Sequence, residues 1–322
     1  MINFFKTLYI KIKEPLAFIS SVISIVLVFY NNGNKIFTYI LSGIVLIYLI
    51  TICSYIVKTI FDTNKAKNAL ERKFFVKNKE LATEMHKFFH NLRDYSSSLY
   101  SLNILTLEDV KDRCVHICNY IELIYNQLFK EYLGDDKVSV CIKLIKNDSI
   151  FDADYNNWEM LTIARSNTTD QKRNRIDDVS VEIRKNTDFQ VIIDNKFEDD
   201  LLAFADMSNI EQDFLQTYKM EYRNSRGSKF LDYYRSTIVV PIKIDGKYVS
   251  KELTAKIGNL KGKSLILGFM CIDSMKIFES SEEKDIFKIG IEYAKMIADS
   301  LYLLFEKVLI CCIENDTIKK VD

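Results

Sequence analysis

The chain has 322 residues, 48% hydrophobic and 27% charged, which is enough apolar material for one or two globular units and excludes a disordered chain. Lys plus Arg and Asp plus Glu both number 44, so the net charge is zero, no basic excess draws the whole chain onto nucleic acid, and no such partner is expected. Nine glycines and two prolines leave little material for phosphate-cradling loops, and no G-x-G-x-x-G occurs.

The first elements in chain order are two uncharged runs, Leu16 to Tyr30 and Ile36 to Val57. The second is long enough to cross a hydrocarbon core of roughly 30 Å at about 1.5 Å per residue, and Asn31 to Asn34 can complete the first near the interface. Together they predict a two-helix transmembrane anchor over residues 1–61, with the lipid bilayer as a partner. No small-residue cleavage site follows the first run, which sets it apart from a signal peptide. Lys6, Lys11 and Lys13 precede the pair, Lys58, Lys65, Lys67, Arg72, Lys73 and Lys77 follow it, and only Lys35 lies between. The excess of positive charge on the flanks places both termini in the cytoplasm, as a multi-pass protein of the cell membrane.

Residues 62–134 read as a juxtamembrane helical hairpin. Leu81, Met85, Phe88, Leu92, Tyr95, Leu99 and Leu102 recur at spacings 4-3-4-3-4-3, the seam of a coiled coil or helical bundle. A second series, Val110, Cys114, Ile117, Ile121, Ile124 and Leu128, repeats 4-3-4-3-4 after a short break, with Thr106 and Asp109 as its N-terminal signal. So short a loop makes the helices antiparallel, and a lone pair buries its seams poorly unless a second copy completes a four-helix bundle, so a homodimer is expected. His86 and His90 fall on the outer face of the first helix, and Cys114 and Cys118 share a face of the second, where packing rather than metal binding is the expected role. The seven cysteines show no C-x-x-C and no regular framework, consistent with free thiols in a reducing compartment.

From Val138 the period changes. "VSVCIKLIK", "EMLTIARS", "DFQVIIDN", "YRSTIVVPIKIDG" and "LILGFMCI" predict five strands, with a helix over Asp199 to Tyr222 and a turn signal at Asp245-Gly246. Tyr248 to Ser264, with Gly258 and Gly262, reads as an exposed insertion. Ser280 and Glu283 form a capping box, and Ile286, Ile289, Tyr293, Ile297, Leu301, Leu304 and Val308 mark the buried stripe of a long final helix, followed by a tail over 313–322. The fold class is α+β: an antiparallel sheet flanked by helices over 135–312, preceded by the helical hairpin and the anchor.

Two resemblances bear on function. His90-Asn91-Leu92-Arg93 on a helical hairpin inside the membrane resembles the phosphoacceptor box of sensor histidine kinases, which implies His90 as a phosphoacceptor. Asn91 stands where that family has an acidic residue, and no kinase domain follows. The order "STIVVPI", "LGFMCIDS", Phe278 and amphipathic helix, over Val138 to Leu309, resembles the GAF-domain family, which implies a small-molecule sensor or a dimerising regulatory module. Phe278, Glu282 and Glu283 match the second half of the phosphodiesterase Asn-Lys…Phe-x-x-x-Asp-Glu pattern. Asp273-Ser274 replace its Asn-Lys, against an ordinary cyclic-nucleotide site. No cysteine lies between Cys141 and Cys271 to hold a bilin, and no cofactor is expected.

Arg223, Arg226, Tyr233, Tyr234, Arg235 and Ser236 bring cations, phenols and a hydroxyl to the start of a strand, a set suited to a small anionic ligand. No nucleophile elbow or catalytic histidine constellation is present in the sequence, so neither an enzyme nor a catalytic or metal site is expected. The leading expectation is a membrane-anchored cytoplasmic sensor that answers a small ligand or a cytoplasmic partner protein and signals through the dimeric hairpin. Alternatives are a small transmembrane effector, as in bacterial anti-phage defence, and phosphotransfer through His90. A reporter fused after Asp322 should be active in the cytoplasm; activity only outside it would overturn the topology.

Overall fold

The structure, a computed structural model, describes residue 24 and residues 35–101, 107–146, 157–168, 180–194, 201–225, 227–245, 249–257 and 264–314. Two compact units divide the chain, Met1–Asn78 and Lys79–Asp322. The first apolar run, with Thr106 and the 313–322 tail past Glu314, lies outside the described residues apart from Ser24. Helix α1 spans Lys35–Tyr100. In its first half, Ser42–Asp62 has mean hydropathy 2.2 and none of its described side chains buried, and it is the one candidate span among the described residues. Exposed Ile44, Leu46, Ile47 and Ile50 distinguish it from the core helix of a globular protein.

In the second unit most of the heptad positions are buried; Tyr95 is half-buried and Leu102 lies outside the described residues. Leu81, Met85, Phe88, Leu92 and Leu99 are buried on the last six turns of α1, and Val110, Cys114, Ile117, Ile121, Ile124 and Leu128 on α2 (Leu107–Leu128). Three contacts fix the antiparallel sense: the Gln127 amide donates to Glu80, Arg113 Nε donates to Ser98 Oγ at 3.2 Å, and Tyr95 faces His116 at 6.3 Å between ring centroids. The seam is covered within one chain. Ser96 Oγ donates to the Leu303 carbonyl of the final helix, α7 (Ser281–Glu314), at 3.3 Å. Where α7 crosses α2, the buried Tyr125 hydroxyl donates to the Gly290 carbonyl at 2.6 Å, and the notch left by Gly290 accepts the Phe129 ring.

After α2 come a single turn α3 (Lys130–Leu133), ended by Gly134 at φ 60°, then β1 (Val138–Ile145), β2 (Glu159–Arg165) and β3 (Val181–Glu182). A 3-10 turn leads into α4 (Thr187–Ile193), followed by β4 (Leu202–Phe204), α5 (Ile210–Tyr218), a second 3-10 turn (Gly227–Asp232), β5 (Ser236–Asp245), α6 (Lys251–Ile257) and β6 (Ser264–Ser274). The six strands form one sheet, ordered β3-β2-β1-β6-β5-β4, with every pairing antiparallel. Helices α2 and α7 cover one face. Because the other face is covered too, β5 and β6 are buried almost throughout and read in sequence as apolar runs. Pro241 is tolerated in β5 because β4 pairs only with Thr237 to Val239, leaving the proline beyond its end.

Three local expectations need correction. The strand expected over Asp188 to Asn195 is not formed by its described residues, 188–194: Thr187–Ile193 is helical, because Asn186 Oδ1 accepts from the Asp188 N–H as an N-cap and the run packs onto the sheet through Phe189. The helix expected over Asp199 to Tyr222 shrinks to Ile210–Tyr218, with Leu202–Phe204 taken by the edge of the sheet and residues 199–200 outside the described set. Asp245 pairs with Ser264, so residues 246–263 join β5 and β6, and the insertion expected to be exposed over Tyr248 to Ser264 is packed in part, with Ser264 already in β6. That segment carries α6, whose buried Leu253 and the Ser250 N–H donated to Glu306 at 2.9 Å tie it to α7. The capping box of α7 is formed, with the Glu283 N–H on Ser280 Oγ at 3.2 Å and the Ser280 N–H on Glu283 Oε2 at 2.9 Å.

At Gly268 the backbones of β1 and β6 approach closely. A Cβ there would lie 2.1 Å from the Lys143 carbonyl oxygen and 2.9 Å from Leu144 Cα, both backbone atoms that cannot swing aside. Gly268→Ala should therefore destabilise the protein by about 3 kcal/mol, read as a lowered thermal midpoint of the full chain in detergent; an unchanged midpoint would show that the strands separate freely there.

Candidate functional site

On the face of the sheet opposite α2 and α7, alternate residues of three strands point the same way: Cys141 and Lys143 of β1, Cys271 and Asp273 of β6, Thr237 and Val239 of β5. They floor a cavity of about 330 Å3. Helix α4 forms one wall, with Asp188 and Phe189 directed inward, and the segment from Asn224 to Tyr234 forms another. These walls are stitched together: the Thr187 N–H donates to the Arg223 carbonyl at 2.8 Å, and the Arg223 N–H donates to Thr187 Oγ1 at 2.7 Å.

The cavity carries both signs of charge. Lys143, Arg165 and Lys229 bring cations to it, and Asp188 and Asp273 bring carboxyls. Lys143 Nζ donates to Thr162 Oγ1 at 3.0 Å and lies 6.0 Å from the Phe189 ring centroid. Thr237 Oγ1 donates to Asp273 Oδ1 at 2.8 Å. Asp188 is 4% exposed; its Oδ2 accepts from the Tyr222 hydroxyl at 3.3 Å, while its Oδ1 has no hydrogen-bond partner. Burial pushes the Asp188 carboxyl up to about 7, against the lowering effect of the Tyr222 hydroxyl and with a further upward push from Asp273. Asn224 links the phenols of the wall, donating to the Tyr234 hydroxyl at 2.7 Å and to that of Tyr222 at 3.5 Å.

Of the residues singled out in the sequence, Tyr233 and Tyr234 line this cavity. The Arg223 and Arg235 side chains are exposed and do not, Arg226 lies outside the described residues, and Ser236 is buried in β5 opposite Ser274. Phe278, Glu282 and Glu283 stand elsewhere: Phe278 packs on Phe129, Glu282 accepts from the Tyr132 hydroxyl at 3.0 Å, and Glu283 caps α7. His86 and His90 are exposed on α1, 4.2 Å apart between ring centroids. Among the described residues, no group of three His, Cys, Asp or Glu is gathered as a metal site. The residues that sequence reasoning missed are Lys143, Arg165, Asp188 and Asp273. Asp188 had a signal, since Asn186-Thr187-Asp188 has the composition of a helix N-terminus.

No protein-family model and no curated protein matches the chain. Among solved structures, it is similar to the GAF domain of an Acinetobacter phosphoenolpyruvate-protein phosphotransferase, at 11% identity and TM-score 0.32 over 72% of this chain and 98% of that one. It is also similar to a GAF domain/HD domain protein from Geobacter sulfurreducens (8%, TM-score 0.33, 62% and 99%) and to the A. aeolicus Nlh2 GAF domain in an inactive state (14%, TM-score 0.31, 69% and 98%).

The raised Asp188 carboxyl ties stability to pH. Its folded value lies above the unfolded one near 4, so the folded state binds the extra proton between about pH 4 and pH 7, and the contribution present below pH 4 is lost as pH rises to 7. Asp188→Asn keeps the shape and removes the charge. It should raise the thermal midpoint at pH 8 and leave it nearly unchanged at pH 4; an equal shift at both would mean that burial of the charge is not the cause.

Proposed function

We propose that the protein is a membrane-anchored cytoplasmic sensor whose GAF-like unit binds a small anionic ligand that also carries a hydrogen-bond donor. The observation that carries this reading is Asp188 Oδ1, a buried carboxylate oxygen without a partner in a cavity that also holds Lys143, Arg165 and Lys229. Leaving such an acceptor unsatisfied costs roughly 1–3 kcal/mol, which an N–H or O–H of a ligand would recover. The cations would neutralise its anionic end, and Tyr233 and Tyr234 would border it. Anchoring is supported by the exposed apolar stretch Ser42–Asp62 and the cationic residues that flank it in sequence. With the seam of the hairpin buried within one chain, a homodimer would use outer faces, where Ile289 and Met296 stand exposed two turns apart on α7.

Calorimetry of the full chain in detergent with nucleoside monophosphates, nucleotides and amino acids is the test. A bound ligand should lose about ten- to a hundredfold in affinity in Asp188→Asn and in Lys143→Ala. Its affinity should rise between pH 6 and pH 8, because a donor prefers the ionised carboxylate. Arg223→Ala and Arg235→Ala test whether the exposed guanidinium groups also reach it. Tight binding of a neutral ligand, or binding indifferent to all four changes, would overturn the reading and leave a dimerising scaffold.

A further inference from the structure

Seven cysteines are present, and two of them meet in the floor of the cavity. Cys141 of β1 and Cys271 of β6 are directly opposite each other in the antiparallel register, each flanked by its register neighbour, Arg165 on β2 and Val239 on β5. Directly opposed residues of an antiparallel pair have Cα atoms about 4.5–5.5 Å apart, within the span that a disulfide bridges. Both thiols are free and nearly enclosed, at 4% and 5% exposure, yet both line the cavity, so a small molecule that enters it meets them. Cys114 and Cys118 lack this setting. They are sealed within the helical core, where burial pushes Cys114 up to about 12 and Cys118 well above the ordinary thiol range.

We propose that Cys141 and Cys271 are a peroxide-reactive dithiol that closes to a cross-strand disulfide in the cavity floor. The closeness of the two sulfurs favours one thiolate between them; Arg165, opposite Cys141 in the register, and Lys143, on the same face of β1, favour it at Cys141, whereas Cys271 has Val239 opposite it and Asp273 beside it. This placement of the cations gives Cys141 the attacking role and Cys271 the resolving one. The Cys141 thiolate attacks one oxygen of hydrogen peroxide; the S–O bond forms, the O–O bond breaks, and hydroxide leaves and takes a proton as water. The Cys271 sulfur then attacks the Cys141 sulfenic sulfur; the S–S bond forms, the S–O bond breaks, and the hydroxide leaves as water with the Cys271 proton. In sum, two thiols and one hydrogen peroxide give one disulfide and two waters, the sulfurs giving up two electrons to the peroxide. The pair needs no bound ligand for this step, so it stands independently of the sensor reading.

The test is peptide mapping of the full chain in detergent after equimolar hydrogen peroxide, with free thiols alkylated before digestion. The expected result is a linked peptide joining Cys141 to Cys271, lost on reduction, while Cys114 and Cys118 stay reduced. Cys271→Ser should leave Cys141 as a sulfenic acid captured by a dimedone probe, and Cys141→Ser should cut that labelling by roughly tenfold or more. Cys141→Ala and Cys271→Ala, with melting curves beside the parent, separate loss of chemistry from loss of fold. A linked peptide through other cysteines, over-oxidation of Cys141 without a link in the parent, or equal labelling in both serine variants would overturn the proposal.

Discussion

The pairing of β1 with β6 is the constraint on which the rest of the second unit depends. It lies in the middle of the sheet, so α2, which covers β1 and β2, and α7, which covers β5 and β6, come together only if these two strands do. The backbones approach closely enough at Gly268 that no side chain fits between them. The same register sets the cavity floor: it places Cys141 opposite Cys271 and Lys143 opposite Phe269, and Phe269 in turn carries Phe189 at 4.6 Å between ring centroids. Fold and site are therefore two faces of one strand pairing.

What the sequence disclosed follows from which physical signals are local. The heptad spacing of Leu81 to Leu99 and of Val110 to Leu128 is a property of single helices, and the structure buries these positions as the spacing predicts, Tyr95 only in part. The capping box at Ser280 and Glu283 is likewise complete within one turn. What covers the seam was not local. The partner surface is supplied by α7, some two hundred residues away, whereas the pattern by itself pointed to a second copy as the cover.

The misread segment Asp188 to Asn195 shows the same limit from the other side. Phe189-Gln190-Val191-Ile192-Ile193 has the composition of a strand, but its residues pack against a finished sheet, and the Asn186 cap turns the segment into a helix. The site suffers most from this, because its chemistry is assembled from six separate parts of the chain. Lys143 and Asp273 read as polar interruptions of apolar strands, and only their register shows that they share a face. The segment from Arg223 to Ser236 did stand out by composition, and it does supply a wall, through Asn224, Tyr233 and Tyr234 rather than through its arginines.

The place of β6 also orders events in time. Ser264 follows Ile145 by 119 positions, so at roughly 5–20 residues per second a ribosome finishes β1 some 6–24 s before β6 begins to emerge. Throughout that interval the edge of β1 that β6 will occupy has no strand beside it, and β5 joins it with an open edge only near the end; an open apolar edge invites pairing with another nascent chain. A centre strand made last among the six thus leaves the sheet open in its middle until every other strand has been synthesised.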